Sequence, residues 1–193
     1  MVLSQRFEEA LVFATHLHRE QARKGSNTPP PYVGHLLSVA GIALDYGATE
    51  EEAIAALLHD AVEDQGGSAT KEAIRERFGD QVVAIVMGCS DAEGEPKPPW
   101  QGRKEAYLAR LPHESASVRL VSAADKLHNA RSILMDYRRL GEALWSRFKG
   151  DKEGTLWYLR SLVSVFLSAG SAPLIDELDR VVTELETASS PPF

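Results

Sequence analysis

The sequence predicts an all-α fold, a single compact domain of about nine or ten helices spanning residues 1–190. Three observations lead there. Apolar residues recur at three- and four-residue spacing through most of the chain, the pattern of helices that bury one face. Helix punctuation falls between those stretches, with Thr49 and Glu52 spaced as a capping box and Gly47 and Gly79 placed as stops. The one run rich in β-branched residues, 82–87, has no second such run to pair with. A chain of 193 residues with 44% hydrophobic content is long enough to bury one substantial core.

Residues 7–21 form the first expected helix, with Phe7, Ala10, Leu11, Ala14, Leu17 and His18 on one face. Arg23, Lys24 and Gly25 end it; by position alone the two cations are favourable charge near a helix C-terminus. Pro29, Pro30 and Pro31 exclude a helix and make a stiff extended connector. A second helix is expected over 35–46, stopped by Gly47, and the capping box opens a third that carries His59 and Asp60. Across so short a turn the two pack antiparallel, which brings His35 at the start of one beside His59 at the end of the next. Further helices are expected over 70–78, 81–88, 103–111, 117–139, 141–149, 152–169 and 172–188, with an irregular segment over 90–102 and a disordered tail at 191–193. Trp145, Trp157, Tyr158 and Phe166 read as core; Trp100 either stacks on a base or packs onto the domain.

Composition narrows the function classes. A net charge of −7 argues against a nucleic-acid-coating surface but leaves room for a local basic pocket. Cys89 is the only cysteine, so neither a disulfide nor a cysteine metal site is available within the chain, and its apolar neighbours mark it as structural. No signal-peptide pattern and no apolar run approaching about 18 residues is present, so the expectation is a soluble cytoplasmic protein with no membrane partner; a homo-oligomer is left open.

Chemistry concentrates in residues 53–64, where an apolar helical run ends in His59, Asp60, Glu63 and Asp64. Burying so many polar groups is costly unless something pairs them. On a continuous helix His59 and Glu63 are four apart, as are Asp60 and Asp64, so the groups share adjoining faces. Carboxylates are disfavoured at the negative end of a helix dipole, and a bound cation reverses that. Asp125, in another apolar stretch, is a further carboxylate in need of a partner. His35, His59, Asp60 and Asp125 together offer two nitrogens and two carboxylate oxygens. Such a set suits six-coordinate Mn²⁺ or Fe²⁺, or another divalent ion, better than structural zinc, because two positions stay open for water and substrate. His16, His18, His113 and His128 are expected outside the ligand set.

These residues resemble the metal-dependent phosphohydrolases of the HD superfamily, which use an H…HD…D metal set. More narrowly, they resemble the hydrolase domain of RelA/SpoT-homologue proteins in its stand-alone form, the small alarmone hydrolases. The resemblance runs from the first helix to about Arg131 through an ordered set of segments: 18–24 with the approach to His35, the 57–64 motif, Arg77-Phe78-Gly79, Ser90-Asp91 with Lys97 and Arg103-Lys104, and 124–131. It implies removal of the 3′-pyrophosphate from guanosine tetra- or pentaphosphate, a small nucleotide partner, and Mn²⁺ held by His35, His59, Asp60 and Asp125. It further implies that Glu63 and Asp64 orient or deprotonate the attacking water, that Arg23, Lys24, Lys97 and Arg103 contact the pyrophosphates, and that Asn129 binds ribose or phosphate. Two other readings stay open: the same chemistry on a deoxynucleoside monophosphate or the 2′-phosphate of NADPH, and a catalytically silent HD domain that binds a nucleotide.

Overall fold

A computed structural model describes residues 2–23, 29–91, 98–170 and 172–190. The described residues form ten α-helices, α1 (Gln5–Leu17), α2 (Val33–Asp45), α3 (Glu50–Leu58), α4 (Ala61–Asp64), α5 (Gly67–Phe78), α6 (Asp80–Cys89), α7 (Trp100–Arg110), α8 (Ala116–Leu140), α9 (Asp151–Ala169) and α10 (Pro173–Ser189), with 3-10 turns at Leu111–His113 and Gly141–Arg147. Among them there is no strand, only an isolated antiparallel bridge between Ala22 and Pro31. The fold is all-α.

Helix α3 is the axis of the domain. Its capping box is formed in both directions between Thr49 and Glu52, and residues from Ala53 to Leu58 are wholly buried. A helix apolar on every side must be surrounded, and α1, α2, α6 and α8 pack against it. Helix α8 is the longest at 25 residues, about 37 Å at the helical rise, and it passes α2, α3, α6 and α10. Gly88 of α6 makes one of these approaches possible, since a Cβ there would lie 2.5 Å from Cγ2 of Val118. Helix α10 buries Leu174, Ile175, Leu178, Val181, Val182 and Leu185 at helical spacing, and Arg131 of α8 pairs with its Glu177 at 2.8 Å.

The expected helices are present, with instructive shifts. The first ends at Leu17, not near 21, because the chain turns at His18 and pairs its backbone with the proline connector: Arg23 N–H donates to the Pro30 carbonyl at 3.0 Å and Tyr32 N–H to the Gln21 carbonyl at 2.9 Å. The segment expected as a helix over 141–149 is a 3-10 stretch. Trp100 packs on α9, with ring centroids 6.4 Å from Trp157 and 6.2 Å from Tyr158, and Gly150 and Gly154 make room for it. Trp157 itself is at the surface, whereas Trp145, Tyr158 and Phe166 are core. The tail at 191–193 lies outside the described residues.

Candidate metal centre

The short Gly47-Ala48 turn, with Gly47 at φ 85°, returns α3 alongside α2, and the His35 and His59 rings come within 5.2 Å between centroids. Their Nε2 atoms face two carboxylates. His35 Nε2 lies 3.2 Å from Asp125 Oδ1 and 3.6 Å from Asp60 Oδ2; His59 Nε2 lies 3.1 Å from Asp60 Oδ2 and 3.6 Å from Asp125 Oδ1. His35, His59 and Asp125 are buried, and their donor atoms lie within 4.8 Å of one another.

This arrangement is electron-rich and calls for a cation. The Nδ1–H of His59 donates to the Ala56 carbonyl at 2.8 Å, so in the neutral ring it is Nε2 that carries the lone pair. That Nε2 is buried with no hydrogen-bond partner among the described residues. Burial lowers the pKa of His59, yet the adjacent Asp60 and Asp125 carboxylates hold it well above the ordinary histidine value. Burial likewise opposes ionisation of Asp60 and Asp125, but the charge of a protonated His59 beside Asp60 and the Lys126 charge beside Asp125 hold these carboxyls well below the usual range. Asp60 Oδ2 accepts from Tyr32 and Asp125 Oδ1 from Asn129, which leaves the two Nε2 atoms to be met by a proton or a metal ion. Bonds of about 2.1 Å put neighbouring ligands about 3.0 Å apart around an octahedral ion and about 3.4 Å apart around a tetrahedral one, so the observed spacings fit a divalent ion.

The other expected residues separate into groups. A turn at His59 and Asp60 separates α3 from α4, and Glu63 and Asp64 face different spaces. Glu63 lines a polar cavity of about 160 Å³ together with His35, Asp60 and Asp125. Asp64 accepts from Gln21 Nε2 at 2.9 Å and faces a larger groove. Asn129, one turn after Asp125, donates to Asp125 Oδ1 at 2.6 Å and accepts from Arg23 Nη2 at 3.1 Å. Arg103 donates to Asp91 and to the Pro98 carbonyl, which draws it away from the donor set. Lys24 and Lys97 lie outside the described residues.

Several neighbours went unassigned from sequence. Tyr32 donates to Asp60 Oδ2. Lys104 and Lys126 line the polar cavity, bonded to Asp91 Oδ2 at 2.5 Å and Asp125 Oδ2 at 2.6 Å. Both follow residues already singled out, Arg103 and Asp125; the 100° turn per residue of a helix decided which of Arg103 and Lys104 faces the site. Cys89 also lines this cavity, its thiol pKa pushed up by burial, consistent with a structural role. Tyr32 and Asn129 border both the polar cavity and a groove of about 1120 Å³ running past Arg23, Ile133, Met135, Arg139, Arg147 and Phe148.

An all-α bundle that assembles two histidines and two aspartates in this order and geometry is an HD domain. Residues 10–156 match the HD domain family, and the chain belongs to it. It is 39% identical over 127 residues to the guanosine-3′,5′-bis(diphosphate) 3′-pyrophosphohydrolase MESH1 of Xenopus tropicalis, covering 65% of this chain and 68% of that protein. It is 34% identical over 130 residues to the guanosine-3′,5′-bis(diphosphate) 3′-pyrophosphohydrolase of Aquifex aeolicus, covering 67% of this chain and 18% of that one. Among solved structures, it resembles a metazoan ortholog of SpoT that hydrolyses ppGpp, with a TM-score of 0.77 and 26% identity, covering 94% of this chain and 96% of that one. No described helix is long and apolar enough to cross a membrane.

Proposed function

We propose that this protein removes the 3′-pyrophosphate from guanosine tetra- or pentaphosphate, releasing GDP or GTP and pyrophosphate, and that Mn²⁺ is its ion. The observation that carries this reading is the convergence of His35, His59, Asp60 and Asp125 at 3.1–3.6 Å around an orphaned histidine nitrogen, in a chain whose relatives are named for that reaction.

A divalent ion in this position supplies a more acidic water and draws charge off the phosphoryl oxygens. The chain's own residues supply the rest. Glu63, which lines a cavity with His35, Asp60 and Asp125, takes the proton of the attacking water in this reading. Asp64, tethered by Gln21, faces the groove and orients water and substrate at its edge. Lys104 and Lys126 bring positive charge to the polar cavity, where a departing pyrophosphate gathers negative charge. The groove receives the nucleoside, with Ile133, Met135 and Phe148 as apolar walls and Arg23, Arg139 and Arg147 as cations for phosphate. Asn129, bordering both spaces, is suited to the ribose between them. A substrate of this kind is a soluble nucleotide, which makes the cytoplasm the proposed location.

The test is pyrophosphate release from guanosine tetraphosphate with Mn²⁺, with chelator, and with the His59→Ala protein. Metal-dependent release that the variant lacks is expected. Stoichiometric metal binding without release would move the substrate to another phosphoester.

A further inference from the structure

We propose that His128 is a positioning residue for the metal centre: its Nδ1 accepts a hydrogen bond from the Nδ1–H of His35 and so holds that ring in the tautomer whose bare Nε2 faces the carboxylates. The inference rests on the metal reading above. The two Nδ1 atoms lie 2.7 Å apart, with ring centroids 4.8 Å apart. At that distance a single proton lies between them, since two N–H groups clash and two lone pairs repel.

The far side of His35 decides which ring carries it. Nε2 of His35 faces Asp125 Oδ1 and Asp60 Oδ2, and as a ligand it must present a lone pair. The proton is then on His35 Nδ1, and His128 is the acceptor. His59 reaches the same state by a local route, donating Nδ1–H to the Ala56 carbonyl near the C-terminal end of α3, where carbonyls lack helical partners. That route is closed to His35. It stands in the first turn of α2, and a helix start leaves N–H groups unpaired, not carbonyls. The acceptor must come from another element, and α8 provides it one turn after Asp125.

Histidine ligands commonly donate their second N–H to a carboxylate, a carbonyl or water. Here an imidazole takes that place. It adds no negative charge beside Asp60, Asp125 and Glu63, where another carboxylate would have to be neutralised as well.

The test is Mn²⁺ binding, counted as free ion by electron paramagnetic resonance, for the wild type, His128→Phe and His128→Asn, together with the melting temperatures of the metal-free proteins. Phenylalanine keeps a ring and removes the acceptor; asparagine restores an acceptor oxygen. His128→Phe is expected to bind Mn²⁺ about 10- to 100-fold more weakly, with His128→Asn recovering most of the loss and the metal-free melting temperatures not following that order. Equal affinity in the wild type and His128→Phe would overturn the inference. No Mn²⁺ binding by the wild type would overturn the metal reading itself, and the inference with it. Should His128→Phe fail to fold, imidazole ¹⁵N shifts of the Zn²⁺-loaded wild type decide: hydrogen on His35 Nδ1 and a bare His128 Nδ1 support the inference, and hydrogen on His128 Nδ1 overturns it.

Discussion

Tyr32 donates its phenol hydrogen bond to Oδ2 of Asp60, the same oxygen that lies 3.1 Å from Nε2 of His59 and 3.6 Å from Nε2 of His35. Burial, then the Asp60 charge, push the Tyr32 pKa up, so the phenol stays a donor at any ordinary pH. The hydroxyl occupies one lone pair of the carboxylate and fixes its rotation. In Tyr32→Phe that constraint is lost, and Mn²⁺ affinity is expected to fall about 10-fold. Titration with Mn²⁺ checks this; an unchanged dissociation constant would show that Asp60 is oriented without the phenol.

Among the described residues Arg23 reaches the site through Asn129, at 3.1 Å, and it lines the groove. A charge-assisted hydrogen bond contributes about 1.5–3 kcal/mol, so Arg23→Ala is expected to raise KM for guanosine tetraphosphate by roughly 10- to 100-fold, with a smaller effect on kcat. Steady-state kinetics distinguish the roles: a fall in kcat at constant KM would place Arg23 at the reacting centre and not in substrate binding.

The contact of α6 with α8 depends on Gly88. A methyl group there would meet Val118 at 2.5, 2.8 and 3.2 Å, and a β-branched side chain in a helix has few rotamers with which to yield. Gly88→Ala is expected to cost about 1–3 kcal/mol of stability. Adding Val118→Ala should return part of that cost, so a double-mutant cycle in urea should show coupling above about 0.5 kcal/mol. Strict additivity would mean the backbones separate instead.

Glu177 clamps α10 to α8. Hydrogen bonds from Arg180, then Arg131, hold its carboxyl down to about 2. A carboxyl depressed on folding contributes stability that is fully present above its unfolded value near 4.5 and is lost as pH falls toward 2. Glu177→Gln should therefore show a shallower fall in melting temperature across that window, while being less stable than the wild type at neutral pH. Parallel curves for the two proteins would exclude the linkage.

Much of this was legible in the sequence because it is local. The capping box at Thr49 and Glu52, the Gly47 stop and the apolar runs act through backbone groups a few residues apart, and the structure shows them in place. The HD domain family could likewise be named from motif order. Other features depended on neighbours distant in sequence. The first helix ends early because the Ala22–Pro31 bridge competes for its last turn, and the turn at His59-Asp60 leaves Asp64 on Gln21 and away from the donor set.

What the sequence by itself determined was the kind of chemistry: two imidazoles and two carboxylates on helices able to meet, with cations nearby. What only the tertiary structure decided was the division of labour among adjacent residues, Lys104 and not Arg103 in the cavity, His128 behind His35, Tyr32 on Asp60. The reason is geometric. A helix turns by about 100° per residue, so which of two neighbours faces a site depends on where the next helix packs, and that is settled by the whole core.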